Sequence, residues 1–100
     1  MGTAKPFSSF RASKRFDASF RALDGPRRKQ ADKAVDLLFN NPAHPGLEAH
    51  PIKPDKYFWE AYINTGDRLI YHPDGPVLFL VDIVKHDDIG KYGKAPRQGR

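Results

Sequence analysis

Residues 57–71 have the sequence YFWEAYINTGDRLIY, and this stretch decides the fold. Apolar and polar residues alternate on both sides of a central NTGD, which is rich in turn-forming residues. The pattern predicts two antiparallel strands, 57–64 and 68–72, joined by a tight turn. A third strand, 77–85, is almost entirely apolar and follows the turn sequence PDGP at 73–76.

Two amphipathic helices are predicted before this centre. Ser13 can cap a helix that runs to about Leu23, where Asp24-Gly25-Pro26 breaks it. Pro26 is well placed as the first residue of a second helix, which runs to about Asn40. Apolar residues recur on one face of this second helix: Ala31, Ala34, Val35 and Leu38. Such short helices are unstable alone, so the pair must bury its apolar stripe against the strands.

Two weaker strands complete the predicted sheet. Residues 6–12 are a weak candidate, and residues 50–53 form a short strand that Pro51 places at an edge. The predicted fold class is α+β, with two N-terminal helices packed on one face of a twisted, mainly antiparallel four- to five-stranded sheet. One hundred residues suffice for one domain, with a core at about 7–92 and a mobile basic tail at 93–100.

Composition excludes several classes of protein. Because the chain has no cysteine, it can form neither a disulfide framework nor a thiolate metal site, and nothing indicates secretion. The N-terminal residues lack the apolar segment of a signal peptide, and no apolar run approaches the roughly 18 residues of a membrane span. We therefore expect a cytoplasmic protein without a membrane partner.

The net charge of +5 points to a polyanionic partner. Lys and Arg neutralise phosphates, and this neutralisation drives sequence-independent binding to nucleic acids. The alternative is a solvated basic surface that binds no nucleic acid. Charge alone leaves both possibilities open.

Alternation along the strands sorts their side chains onto two faces. The face that the helices should cover takes these residues: Tyr57, Trp59, Ala61, Ile63, Leu69, Tyr71, Val77, Phe79, Val81 and Ile83. Trp59 is therefore expected in the core. The opposite face is expected to be uncovered, and it collects these polar residues: Glu60, Tyr62, Arg68, His72, Asp82 and His86. An open face with this composition is a reasonable place for a site.

The chain resembles the RelE/ParE superfamily, the small toxins of bacterial toxin–antitoxin pairs. The segments that carry the resemblance are LLFNNP at 37–42, HPGL at 44–47, FWEAYI at 58–63, DRLIY at 67–71 and VKHDD at 84–88. They follow the family's order and span roughly residues 7–92. The fold that the resemblance implies, two helices on an antiparallel sheet, agrees with the prediction made from the residue pattern.

The resemblance also implies a function. Members of the RelE, YoeB and HigB type cut messenger RNA, usually in the ribosomal A site, by attack of the ribose 2′-hydroxyl on the adjacent phosphate. The implied protein is a type II toxin, a ribosome-dependent mRNA endoribonuclease that a cognate antitoxin inhibits in a hetero-oligomer. The alternatives are a ParE-like inhibitor of DNA gyrase and a catalytically silent binding module with the same fold.

Four side chains match candidate catalytic positions of the family. Arg68 matches the arginine that contacts the scissile phosphate, and a guanidinium suits a phosphate because it donates bidentately. His86 matches the histidine near the end of the last strand, and an imidazole suits proton transfer near neutral pH. Tyr92 and Glu48 are weaker candidates for the terminal tyrosine and the catalytic glutamate. Four more residues are RNA-binding candidates: His50, Lys53, Lys56 and Lys85.

Each role has a plainer alternative. Arg68 can simply pair with Glu60 or Asp82 across the sheet, and His86 can be a surface histidine. We expect Arg68 to be exposed, so its replacement by alanine should leave stability nearly unchanged. We expect no cofactor and no metal, because the adjacent residues His86, Asp87 and Asp88 would point to different sides of a strand.

Overall fold

The structure, a computed structural model, describes residues 6–93, which form a five-stranded sheet with two α-helices. The strands are β1 (Ser9–Ala12), β2 (His50–Pro51), β3 (Trp59–Tyr62), β4 (Asp67–Asp74) and β5 (Val77–Lys85). The α-helices are α1 (Lys14–Ala22) and α2 (Gly25–Asn40), and 3₁₀ helices span Pro45–Leu47 and His86–Tyr92. The bounds of β5 are those predicted, whereas β3 is shorter than predicted at both ends.

The strands lie in the order β1-β5-β4-β3-β2. Every neighbouring pair is antiparallel except β1 and β5, which are parallel. The predicted fold class, an α+β arrangement of two N-terminal helices on a mainly antiparallel sheet, is confirmed. Within residues 6–93 no helix combines the length and the apolar character that a bilayer crossing requires.

Side-chain caps set the starts of both helices. The Ser13 hydroxyl accepts a 2.9 Å hydrogen bond from the Phe16 amide and donates a 2.6 Å bond to the Val81 carbonyl, so the cap also fixes α1 to β5. The Asp24 carboxylate accepts a 2.9 Å bond from the Arg27 amide. Because Asp24 is the cap, α2 begins one residue before the predicted Pro26.

The larger core lies between the helices and the sheet. Its buried members are Phe16, Leu23, Ala31, Leu38, Leu47, Ala61, Leu69, Tyr71, Leu78, Leu80 and Ile83. Trp59 packs against this core with its ring centroid 6.1 Å from that of Tyr71, so its predicted place is confirmed. The prediction that Tyr57 shares this face is wrong, because Tyr57 lies outside β3 and stacks on His72 instead.

A bulge in β5 reverses part of the predicted alternation. Ile70 pairs with Asp82 and Tyr71 pairs with Leu80, so Val81 is the extra residue between them. Leu78 and Leu80 therefore face the helices, and the predicted placement of Val77, Phe79 and Val81 on that face is wrong. Ile83, beyond the bulge, faces the helices as predicted.

The opposite face carries a second apolar cluster, so the prediction that it is uncovered is wrong. Its buried members are Ile52, Phe58, Ile70, Val81 and Val84, and the residues packed against them are Phe79, Ile89 and Tyr92. Two of these come from the C-terminal 3₁₀ helix, which the alternation pattern could not reveal. The polar residues predicted for this face lie at its two ends, apart from Asp82, which is only 3% exposed.

The C-terminal 3₁₀ helix begins directly after β5. His86, predicted near the end of the last strand, is the first residue of this helix. Gly93, predicted to begin a mobile tail, is buried, and its carbonyl accepts a 3.1 Å hydrogen bond from the Asp55 amide. The rest of that predicted tail, 94–100, lies outside the described residues.

An ion pair joins α2 to the start of β4. Arg27 donates from Nε and Nη2 to the two carboxylate oxygens of Asp67 at 2.9 and 2.8 Å, and Asn64 donates a further 2.8 Å bond to Asp67. The Asp67 side chain is only 3% exposed. The hydrogen bond from Arg27 is the main cause that lowers the pKa of Asp67, against the opposing effect of burial.

We predict that Asp67→Asn lowers the free energy of unfolding by about 2 kcal/mol near neutral pH, because it removes a charged acceptor of hydrogen bonds. Since the folded-state pKa is lowered, the contribution of the carboxylate is present above roughly pH 4 and is lost as the pH falls through the folded-state value. Urea denaturation of both proteins should therefore give stabilities that converge in acid. The control is Asp32→Asn, an exposed aspartate on α2, with an effect within about 0.5 kcal/mol. A difference that stays constant into strong acid would contradict this account.

Candidate functional site

A cluster of polar side chains lies beside the β3–β4 turn, on the face opposite the helices. Register places its members together, because His50 pairs with Glu60 and Tyr62 pairs with Arg68. His50 Nε2 is 3.3 Å from Glu60 Oε2, and Arg68 Nε is 3.8 Å from Glu60 Oε1. We call these three residues the His50–Glu60–Arg68 cluster. Tyr62 borders it, with its ring centroid 4.8 Å from the Arg68 guanidinium carbon.

The turn that positions Arg68 is held by its own side chains. Asn64 Oδ1 accepts hydrogen bonds of 2.9 and 2.8 Å from the amides of Gly66 and Asp67. Asn64 Nδ2 donates 2.8 Å bonds to Asp67 and to Gln30 on α2. An asparagine favours this geometry because its short amide can bond to the backbone two residues on. The turn is thereby fixed both internally and against the helix.

Arg68 closes the same turn from the other side. Its Nη1 donates to the carbonyls of Asn64, Asp67 and Thr65 at 2.7, 3.0 and 3.3 Å. Its side chain is 14% exposed. Nη2 makes no hydrogen bond within residues 6–93. The predicted pairing with Glu60 exists at long range, and that with Asp82 does not occur in this range.

His86 reaches the same turn by its backbone. Its amide donates a 2.9 Å hydrogen bond to the Gly66 carbonyl. The imidazole is 60% exposed and lies 3.5 Å from the Asp87 carboxylate. Lys85, also exposed, precedes it and pairs in register with Asp67. The structure therefore brings His86 and Lys85 to the turn that Arg68 closes.

Tyr92 lies elsewhere. Its hydroxyl donates to Asp82 on β5, which is separated from Glu60 by the intervening strand β4. Its ring packs edge-on against Phe58 at 5.3 Å. Burial first, and then the bond to Asp82, raise the pKa of Tyr92. The phenol therefore stays protonated, with its proton directed to Asp82, and the structure does not bring it to the His50–Glu60–Arg68 cluster.

The remaining candidates flank the cluster. Lys53 and Lys56 are exposed on the loop between β2 and β3, and Lys53 lines a depression of about 340 Å³ together with His50 and Glu60. Glu48 ends the first 3₁₀ helix in a left-handed conformation (φ 47°). It is exposed, and within residues 6–93 no ion pair or hydrogen bond engages its side chain.

The cluster combines three functions that phosphoryl chemistry requires. A carboxylate can take a proton, an imidazole beside it fixes its position, and a guanidinium neutralises phosphate charge. Within the part of the chain that the structure describes, no group of three His, Asp or Glu side chains is arranged to hold a metal ion. The arrangement therefore suits acid–base chemistry on a bound phosphate.

The sequence did not single out Glu60 or Tyr62 as site residues. The alternation of side chains along the strands placed both residues on the same sheet face as Arg68, and this could have identified them as site candidates. The contact between Glu60 and His50, however, depends on the register of a strand of two residues that contains Pro51. No pattern in so short a strand reveals its register.

The chain is similar to known proteins in its three-dimensional structure. No family model and no curated protein sequence matches the chain. The solved structure of YafQ from E. coli superposes with a TM-score of 0.67 at 18% identity, over 80% of this chain and 94% of that one. YafQ in the E. coli DinJ–YafQ toxin–antitoxin complex superposes with a TM-score of 0.66 at 17% identity, over 78% and 91%.

A third similar structure is a metal-bound toxin from Helicobacter pylori, with a TM-score of 0.64 and 26% identity over 81% of this chain and 97% of that one. These likenesses cover almost the whole of each toxin, so they concern the complete fold and not a shared fragment. The chain therefore has the fold of the RelE/ParE toxin superfamily, the family that its sequence resembles.

Proposed function

We propose that the protein is the toxin of a type II toxin–antitoxin pair and acts as a ribosome-dependent mRNA endoribonuclease. The observation that carries the proposal is the His50–Glu60–Arg68 cluster, which joins an imidazole, a carboxylate and a guanidinium on one face of a toxin fold. The exposed side chains of Lys53, Lys85 and His86 surround it and add positive charge for an RNA backbone.

Each member of the cluster has a role in the proposed reaction. Glu60 takes the proton of the ribose 2′-hydroxyl as its oxygen attacks the neighbouring phosphorus, and His50, whose Nδ1 faces the Pro51 carbonyl and whose Nε2 faces Glu60, positions that carboxylate. Arg68 donates from Nη2, which makes no hydrogen bond within residues 6–93, to the phosphate oxygens that gain charge. The bond to the 5′-oxygen breaks, and His86 gives that oxygen a proton. The products are a 2′,3′-cyclic phosphate and a free 5′-hydroxyl, so protons and charge balance.

The proposed partners follow from this reaction. The substrate is mRNA on the ribosome, which places the protein in the cytoplasm. The DinJ–YafQ structures show a similar toxin in complex with an antitoxin, and they support a cognate antitoxin that forms a hetero-oligomer with this chain. We assign the activity to a single domain that spans about residues 7–92.

One observation favours a catalytically silent binding module instead. Arg68 and Tyr92, two of the residues matched to catalytic positions, both have internal partners: backbone carbonyls for Arg68 and Asp82 for Tyr92. A protein with only structural uses for these groups would fold identically and cut nothing. The two functions differ in the outcome of a cleavage assay.

We predict that the protein stops protein synthesis in a cell-free bacterial extract and leaves cut mRNA with 5′-hydroxyl ends. Glu60→Gln should slow cleavage by about a hundredfold or more, the usual contribution of an acid–base group, and His50→Ala should also slow it, because it removes the side chain that positions this carboxylate. Asp32→Asn removes the same charge as Glu60→Gln far from the cluster and should cut like wild type. Normal translation and intact mRNA with the wild-type protein would favour the silent module, and inhibited supercoiling by purified gyrase would favour a ParE-like toxin.

We predict a double effect for Arg68→Ala. Cleavage should fall by about a hundredfold, because one donor to a charged transition state is lost. Stability should also fall, by about 1–3 kcal/mol, because three turn carbonyls lose a charged donor. The sequence-based expectation of unchanged stability assumed an exposed side chain, and the 14% exposure of Arg68 corrects it. Thermal unfolding and single-turnover cleavage, measured on the same samples below the melting temperature, separate the two effects. An Arg68→Ala protein that cuts at the wild-type rate would remove Arg68 from the mechanism.

A further inference from the structure

Tyr57 and His72 form a stacked pair at the other end of the same face. Their ring centroids are 4.0 Å apart and their planes differ by 9°. Tyr57 is 39% exposed, and within residues 6–93 Phe10 is the other large apolar side chain with comparable exposure. Exposed aromatic rings with flat neighbours are typical of surfaces that bind nucleobases.

The pair is held in a fixed arrangement. His72 Nδ1 lies 2.8 Å from the Tyr57 carbonyl. Because a carbonyl only accepts, Nδ1 must donate, and this fixes the tautomer of the neutral ring with Nε2 as the second polar atom. Lys56, immediately before Tyr57, has a φ of 64°. Such left-handed geometry is uncommon for a lysine and directs the chain so that Tyr57 covers His72.

The position of the pair relates it to the proposed site. Arg68, Ile70 and His72 alternate along β4 on the face opposite the helices, and the bulge lies in β5 and not in β4. His72 is four residues after Arg68, which at about 3.3 Å per residue gives roughly 13 Å along the strand. Buried Ile70 lies between them. The C-terminal 3₁₀ helix covers the middle of this face through Ile89 and Tyr92, so an RNA strand with a phosphate at Arg68 must pass outside this helix to reach the stacked pair.

Charge around the pair fits a nucleic acid better than an apolar partner. Lys56 adjoins Tyr57, and Lys53 lies on the same loop; both are exposed. A stacked pair with a phenol hydroxyl and an imidazole edge is small and polar at its rim. Protein docking surfaces have larger apolar centres than two rings provide.

We propose that the Tyr57–His72 pair is a stacking platform for a base of the single-stranded RNA whose scissile phosphate lies at Arg68. The base would extend the stack, and Lys53 and Lys56 would neutralise the neighbouring phosphates. The proposal rests on the proposed function for the identity of the nucleic acid, but it concerns binding and not cleavage. Stacking accepts any base, so the pair positions the RNA strand without specifying its sequence.

The test uses a short 2′-O-methyl oligoribonucleotide that contains 2-aminopurine, a base whose fluorescence falls when it stacks, and that the proposed reaction cannot cut. Wild type should bind the probe and quench it. Tyr57→Ala should weaken binding by about tenfold or more and abolish the quenching, whereas Tyr57→Phe should retain both. The matched control is Phe10→Ala. It removes an exposed aromatic ring from β1, away from the stacked pair, and the variant should bind the probe like wild type.

A second probe, abasic at the 2-aminopurine position, separates stacking from folding. Wild type and Tyr57→Ala should bind the abasic probe with equal affinity, because no base remains to stack. Three outcomes would overturn the platform. Tyr57→Ala could lose the same affinity for both probes, it could bind the first probe as tightly as wild type does, or wild type could fail to bind the first probe. If the protein cuts mRNA in the extract but Tyr57→Ala binds the probe normally, the platform is rejected and the proposed nuclease activity stands. If wild type stacks the probe base but cuts no mRNA, the platform stands and the nuclease activity is rejected.

Discussion

The hydrogen bonds of the β3–β4 turn are the constraint on which the rest of the structure depends. Asn64 satisfies its amides, Arg68 satisfies its carbonyls, and Asp67 is tied to α2 through Arg27. A buried carboxylate is tolerated there only because it is paired and fully hydrogen-bonded. Through this contact the helix that covers one face also fixes the turn that presents Arg68 and receives His86 on the other.

Sequence patterns sufficed for elements whose signal is local. β5 is a long apolar run between turn residues, and both helices carry a capping residue followed by apolar residues at helical spacing, so their positions follow from the residues. The bulge at Val81 has no such signal, because an apolar residue suits either face. The contact of His50 with Glu60 and the packing of Tyr92 depend on register and on a 3₁₀ helix, which are tertiary properties. The fold was therefore more predictable than the site.

Arg68 has a structural and a proposed chemical use at once. Its Nη1 is committed to three carbonyls, so the guanidinium is held rigidly before any ligand arrives. A guanidinium that is already fixed loses less conformational entropy on binding a phosphate than a mobile lysine would. It can therefore stabilise the charge that develops on the phosphate during the proposed reaction. The same commitment links stability to the proposed activity, since replacement of Arg68 by alanine removes both uses at once.

The His50–Glu60–Arg68 cluster and the Tyr57–His72 pair lie at the two ends of one sheet face, and β4 contributes a residue to each. Arg68 and His72 belong to β4, whose alternation is regular, while the extra residue of the sheet lies in β5. A bulge bends the strand that contains it, so the distortion falls beside β4 and not within it. The C-terminal 3₁₀ helix covers the apolar middle of the face through Ile89 and Tyr92. β4 itself therefore sets the spacing between the proposed phosphate-binding position at Arg68 and the proposed stacking position at His72.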